Sequence, residues 1–423
     1  MLEQDRLNMI KKKFDIIILG AGAAGLMAAL TAAQRNKSVL VLEKSNKAGK
    51  KILMSGGGRS NFTNLYVEAE NFLSNNPHFC KSALTRYTPD DFINLVKKHG
   101  IDFEEKKHHQ LFCINSSKDI LNMLVEECTD LGVEIHMDVE TEKVKKLHEE
   151  GDKTLYEVTS IFNSKTSSDK TLLNCKSLIV ATGALSIPTL GGSGFGYELA
   201  KDFELPLVPR RASLVPFMFS DEIKDLCERL TGLSAPVDIM SNNVHFVESM
   251  LFTHRGLSGP AILQISNYWN PGDTITINLL PEIDAAMMLV NKKEEQPKTS
   301  IKKHLSDLLP KALVLELEEM SWPDCKDQML AEISNERIQN IGNFLNAWIL
   351  KPATTEGYRT AEVTLGGVDT DVINSKTMET KDSVGNILNN GDTVMVSKTL
   401  KVKGCLLYTS DAADDSLRVD LGG

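Results

Sequence analysis

Apolar residues along the chain fall into two kinds of pattern. Phe14–Leu19 (FDIIIL) and Ser38–Leu42 (SVLVL) are unbroken runs rich in β-branched residues, and they predict strands buried on both faces. Between them LMAALTAAQRN, rich in Ala and Leu, predicts a helix. Ser82–Gly100 carries apolar residues at helical spacing. Lys118–Leu131 does so again, with Ile120, Leu121, Leu124, Val125 and Cys128 on one face. Gly132 ends that helix, and Val133–Met137 predicts a strand. Ser177–Thr182 (SLIVAT) predicts one more buried strand, and Pro206, Pro209 and Pro216 mark a domain crossing.

The junction of the first strand and helix carries the clearest chemistry. It reads Gly20-Ala21-Gly22-Ala23-Ala24-Gly25, and the second strand ends on Glu43. Gly20 permits a tight strand-to-helix turn, Gly22 lets backbone approach a pyrophosphate, and Gly25 lets the helix pack closely on the strand. Free N–H groups at the helix start, Ala23 and Ala24 included, favour phosphate. Glu43 is placed to accept ribose hydroxyls and to repel a 2′-phosphate. A lone glycine fingerprint is weak, but here strand, helix, second strand and acidic end fall in order. The unit predicts a dinucleotide site without separating FAD from NAD.

Composition narrows the surroundings. The chain has 423 residues, enough for two or three domains, with 42% hydrophobic and 25% charged residues. A net charge of −10 argues against broad nucleic-acid binding but leaves room for a local basic pocket. No run approaches the roughly 18 apolar residues of a membrane span, and the polar start does not resemble a signal peptide. Those features predict a cytoplasmic protein. Seven scattered cysteines form no CxxC pair and read as buried or free reduced thiols. His108-His109 reads as a surface pair, so no metal site is expected.

Three further segments are candidates. Lys44–Asn64 (KSNKAGKKILMSGGGRSNFTN) places Gly56, Gly57 and Gly58 before Arg59, Ser60 and Asn61. The glycines would admit backbone close to a flat ligand, and Arg59 and Asn61 would hydrogen-bond phosphate or a flavin edge. Lys44, Lys50 and Lys51 add positive charge. The alternative is a flexible polar loop. Ala181-Thr182-Gly183 follows a buried strand and would bring backbone near phosphates or adenosine. His254 and Arg255 sit before Gly256, Gly259 and Pro260. They read either as a turn or as a loop that carries a catalytic group toward substrate.

GAGAAGLMAA, AGKKILMSGGGRSNFTN, ATGALSIPTLGGSGFGYELA, LFTHRGLSGPAIL and AEVTLGGVDTDVINSKTMETK occur in that order. Together they resemble the YhiN/BaiN-type family of FAD-dependent oxidoreductases, which includes aminoacetone oxidase-like and 3-dehydro-bile-acid reductase-like proteins. The resemblance covers residues 12–381. It implies an α/β fold: a discontinuous Rossmann-type FAD domain over 12–208 and 353–381, with a mixed β/α substrate domain inserted at 209–352. It places backbone near Thr141 against the adenine and Gly366-Gly367 near the active site. Ala184 stands where the family usually has a second glycine.

After Lys381 the family wording stops. The family's closing strand, acidic residue and glycine turn are missing, Asp382–Gly404 resembles a PhnA-type fragment, and Cys405–Gly423 resembles adapter-derived sequence. Residues 382–423 are therefore read as a chimeric tail that leaves a sheet edge open. Weak FAD binding and aggregation are the expected consequences.

The functional expectation is an FAD-dependent oxidoreductase. Hydride would pass from transiently bound NAD(P)H to a small organic substrate, an enone such as a 3-oxo steroid or bile acid, with no nucleic-acid or membrane partner. An oxidase using O₂, a flavin-free NAD-dependent dehydrogenase and a non-enzymatic flavin-binding or nucleic-acid-modifying accessory protein are the alternatives, the acidic balance counting against the nucleic-acid version. Substrate identity and oligomeric state are not readable.

Overall fold

The computed structural model describes residues 12–149, 153–163, 168–373 and 394–395. Contacts divide the chain into two compact units: one runs to Ala212 and resumes at Glu362, the other spans Ser213–Ala361.

The first unit opens with strand β1 (Lys12–Leu19), helix α1 (Ala23–Ala33) and strand β2 (Val39–Leu42). Alternation along the strands explains their continuous hydrophobicity. Ile18, Val39 and Val41 pack into one core with Leu26 and Leu30 of α1, whereas Ile17, Leu19, Leu40 and Leu42 pack into a second core on the opposite face. Helix α2 (Lys50–Met54) and strand β3 (Asn61–Asn64) follow.

The helical pattern at 82–100 resolves into two helices, α3 (Lys81–Arg86) and α4 (Pro89–Lys98). Pro89 cannot continue a helix from Thr88. Instead Thr88 caps α4, with its hydroxyl accepting from the Asp91 N–H and the Asp91 carboxylate accepting from the Thr88 N–H.

Strands β4 (Phe103–Glu105) and β5 (Gln110–Cys113) join β3 in a three-stranded antiparallel sheet, with β5 between the other two. Helix α5 (Ser117–Asp130) buries Ile120, Leu124 and Cys128. Strands β6 (Glu134–His136), β7 (Val139–Glu149), β8 (Lys153–Asn163) and β9 (Ser168–Val180) complete the main sheet in the order β6-β2-β1-β9-β8-β7. Its first four strands are parallel and the β7–β9 meander is antiparallel. Helix α6 (Phe195–Asp202) and strand β10 (Leu207–Ser213) lead out of the unit.

The second unit is a seven-stranded sheet with helices. Strands β11 (Phe217–Met218), β12 (Ser234–Ser241), β13 (Val244–Thr253), β14 (Gly256–Ser258), β15 (Ile275–Asn278), β16 (Trp348–Leu350) and β17 (Thr354–Thr355) pair in the order β16-β15-β12-β13-β14-β11-β17. Every pairing between these strands is antiparallel. Helical segments between β15 and β16 contribute Leu289, Leu313, Leu317 and Ile341 to a core shared with Val237, Ile239, Phe252 and Ile277 of the sheet. The expected α/β fold with a mixed β/α insert is what the chain adopts.

The chain returns through β18 (Val363–Val368), which pairs with β10. The expectation of an unrelated tail falls on residues outside those described, apart from β19 (Val394–Met395). That strand pairs in parallel with Ile179 and Val180, the part of β9 that β8 does not reach.

Candidate cofactor site

The turn after β1 requires glycine at two positions for reasons internal to the protein. Gly20 has a φ of +104°, and a Cβ there would strike the Ala181 carbonyl. A Cβ on Gly25 would overlap the Gly20 carbonyl oxygen. Gly22 differs. Its φ of −81° suits any residue, and a Cβ there would meet no protein atom within 4 Å. Gly183 likewise faces open space.

The carboxylate of Glu43 braces this turn. Its Oε2 accepts the Ala21 N–H at 2.7 Å, and its Oε1 accepts the Ser45 N–H at 2.7 Å. Each oxygen keeps a further acceptor position. Helix α1 has no side-chain cap and no acidic residue in its first turn. Its N-terminal N–H groups and partial positive charge are thus offered to a ligand.

These elements surround a cavity of about 330 Å³. Of the expected site residues, Gly20, Gly22, Ala23, Ala24, Glu43, Lys44, Lys50, Thr141, Ala181, Thr182 and Gly183 line it. Gly25 lies beneath the turn as a packing residue. The cavity also takes in Lys51, expected to add positive charge, together with Ser45, Lys47, the Gly191-Gly192-Ser193 loop and Phe195, to which the sequence assigns no role. The glycine richness of residues 191–196 was the available signal for the loop. Lys44 pairs with Glu140 at 2.7 Å on the surface, an interaction that contributes little by itself. Lys51 Nζ donates to Ser186 Oγ at 3.2 Å.

The residues present fit the ADP portion of FAD. Gly22 and Gly183 leave space that side chains would fill, the helix start is uncapped and would suit a phosphate, and lysines line the cavity with the Glu43 carboxylate.

Gly57, Gly58, Arg59, Ser60 and Asn61 form a separate feature. Gly56, Gly57 and Gly58 all have positive φ, as does the buried Ser60 at +50°. The turn is fixed by the Ser60 N–H donating to the Ser55 carbonyl at 3.0 Å and the Cys113 N–H donating to the Arg59 carbonyl at 2.9 Å. A fixed turn replaces the flexible-loop alternative. Arg59 is held at 2.9 Å by Glu104. Asn61 is buried at the start of β3.

His254 and Arg255 form the tight turn between β13 and β14, whose Thr253 and Gly256 are paired. His254 is exposed, and the Arg255 carbonyl accepts the Phe219 N–H at 3.2 Å. Neither lines the cavity. His109 pairs with Glu105 at 2.7 Å. The six described cysteines are buried thiols. Among the described residues no helix is long and apolar enough to cross a membrane.

Comparison with known proteins accords with this geometry. Residues 14–397 match the family model described as HI0933-like protein Rossmann domain, a match that continues past Lys381. The ribosomal RNA dihydrouridine synthase of Escherichia coli is 46% identical over 375 residues, 88% of this chain and 90% of that protein. The Haemophilus influenzae protein of the same name is 46% identical over 87% of this chain and 89% of its own. The 3-dehydro-bile acid delta(4,6)-reductase of Clostridium scindens is 24% identical over 87% of this chain and 90% of that protein.

These relatives overturn the expectation of no nucleic-acid partner, because two of them at 46% identity act by name on ribosomal RNA. The net charge of −10 misled because it averages the whole surface, whereas local cations govern contact with a polyanion. The steroid-like substrate suggestion loses its footing with the same finding, since the bile-acid reductase is the more distant relative.

Proposed function

The chain belongs to the HI0933-like family, and from that membership we propose that it is an FAD-dependent dihydrouridine synthase acting on ribosomal RNA. The observation that carries this reading is 46% identity, over nine-tenths of their lengths, to two proteins of that activity. A reduced nicotinamide is the electron source in this reading, bound transiently because the chain has one strong ADP-binding fingerprint. An RNA substrate assigns the activity to the cytoplasm.

The chemistry agrees with an electron-poor double bond as hydride acceptor. In uracil the C5=C6 bond is conjugated to the C4 carbonyl, so hydride adds at C6 and a proton at C5. The π bond is lost, two C–H bonds form, and NAD(P)H is oxidised to NAD(P)⁺. When bound, FAD supplies the two-electron relay between nicotinamide and base.

The protein's own residues supply position and charge. The Gly20–Gly25 turn and the α1 N-terminus hold the pyrophosphate, and Glu43 both braces the turn and accepts from the ribose. Ala181, Thr182 and Gly183 bring backbone to the other side of the cavity, Thr141 stands at the adenosine end, and Lys44 and Lys50 balance the phosphate charge. The fixed Gly57–Asn61 turn, with Gly58, Arg59 and Ser60, serves the flavin end. His254 and Arg255 carry no assigned step in this reading. A base in structured RNA must leave its stack to be reduced, which costs a few kcal/mol.

The test uses the full chain loaded with FAD, NADH or NADPH, and ribosomal RNA from cells lacking this modification. Nucleoside mass spectrometry is expected to show a uridine that has gained two hydrogens. Flavin that nicotinamide reduces readily, with no dihydrouridine formed on any ribosomal RNA, would refute the reading.

A further inference from the structure

Two carboxamides beside the glycine turn lack the partners that a structural role would give them. Asn61 is 3% exposed and Gln110 is 2% exposed. Asn61 Oδ1 and Gln110 Oε1 are buried and have no hydrogen-bond partner among the described residues. Buried acceptors in a folded protein are nearly always satisfied, by protein, water or ligand.

Both side chains lie on one face of the three-stranded sheet. Leu111 and Cys113 of β5 point into the core that also holds Phe62. By strand alternation, Gln110 and Phe112 point the other way. Asn61 is the cross-strand partner of Phe112 and shares its side. The glycine turn covers that side: a Cβ on Gly56 would lie 2.7 Å from Asn61 N and 2.7 Å from the Phe112 ring. Gly57 and Gly58 beyond it face open space.

A neighbour shows what a structural carboxamide does here. Asn64, paired with Gln110, donates from Nδ2 to the His108 carbonyl at 2.7 Å and accepts the Tyr66 N–H at 2.9 Å. The backbone leading to Gln110 is also unusual. His108 and His109 both have positive φ, at 57° and 60°, a conformation uncommon outside glycine and found at ligand clamps.

We propose that Asn61 and Gln110 form a recognition site for a cyclic imide edge, the O=C–N(H)–C=O group, whose single N–H donates to one of the two carboxamide oxygens. Two ligands of the proposed reaction carry that edge: the pyrimidine end of the flavin ring and the uracil base. The uracil source rests on the reading as a dihydrouridine synthase; the flavin source does not.

The experiment measures binding and needs no turnover. The full chain is titrated with FAD and with FAD methylated at flavin N3, which removes the donor. FAD-loaded protein is titrated with a uridine-containing ribosomal RNA fragment and with the same fragment carrying N3-methyluridine. The wild type is expected to bind one methylated ligand about tenfold more weakly than its parent, as loss of one buried hydrogen bond gives. Discrimination confined to FAD assigns the site to the flavin, and discrimination confined to RNA assigns it to the substrate base. In the Asn61→Leu/Gln110→Leu variant that discrimination is expected to vanish. A wild type that binds both methylated ligands as tightly as their parents overturns the proposal, whether or not the variant folds. So does discrimination that persists in a folded double variant. Absence of dihydrouridine in the activity assay would sink the functional reading while leaving the FAD comparison decisive here.

Discussion

Glu43 Oε2 accepts the Ala21 N–H at 2.7 Å, joining the end of the second strand to the glycine turn of the first. The same carboxylate accepts the Ser45 N–H, so one side chain fixes both loops at the cavity. Glu43→Gln replaces one acceptor with a donor and must lose one of these bonds. Hydrogen bonds to a charged group contribute about 1.5–3 kcal/mol each. Glu43→Gln is expected to lower apo stability by about 1–2 kcal/mol in urea melts. FAD affinity should fall more than tenfold, because the acceptor facing the ribose is lost with the brace. Unchanged affinity would show that ribose recognition lies elsewhere.

Gly22 and Gly25 separate ligand requirements from fold requirements. Gly25→Ala drives a methyl group into the Gly20 carbonyl and is expected to cost about 3 kcal/mol with no ligand present. Gly22→Ala meets nothing in the protein and has an ordinary φ. It should leave the apo melting temperature unchanged or slightly higher. Its FAD dissociation constant should nevertheless rise at least about tenfold, since the methyl enters the space left for pyrophosphate. Calorimetry and flavin fluorescence titration read the two effects separately.

The contrast shows which parts of the site are legible in sequence. Glycine spacing and the FDIIIL and SVLVL runs give β1, α1, β2 and Glu43, because a strand buried on both faces leaves an unbroken apolar signature. The β7–β8 meander escapes the same reading. Val144, Tyr156 and Val158 are buried, but polar neighbours such as Lys143, Lys145 and Glu157 interrupt each strand, as expected where one face meets solvent. The break between α3 and α4 is written in Thr88-Pro89, a local signal that apolar spacing alone does not register. Gln110 carried no signal at all: its interest comes from lacking a partner, which only packing reveals.

Asp15 ties β1 to β9 and to the residue that precedes β2. The Lys176 ammonium at 2.7 Å, followed by the Ser38 N–H and hydroxyl, holds its carboxyl well below the usual carboxylate range. A folded-state pKa below the unfolded one stabilises the protein at pH above the ordinary carboxylate value. The contribution is lost as pH falls below that value toward the depressed one. The pair lies at the surface, so Asp15→Asn is expected to cost only about 1 kcal/mol at pH 7. Melting temperatures of the two proteins should converge as pH drops below about 4. A gap that stays constant with pH would mean that the carboxylate charge is not what matters.

Burial sets the behaviour of the thiols. Desolvation raises Cys113, Cys175 and Cys227 to about 12 and Cys128 to about 11. The thiolate is the reactive form, so these side chains stay protonated even near pH 9, where a free cysteine is largely ionised. Iodoacetamide at that pH should leave their peptides unmodified in the native protein. Urea should expose Cys113, Cys128 and Cys175 with the loss of the first unit's packing and Cys227 with the loss of the second unit's core, rather than by local opening. Cys113 is the sharpest case, because its N–H holds the Arg59 carbonyl beside the glycine turn. Labelling of Cys113 ahead of Cys128, which shares its core, would show that the turn opens independently of that core.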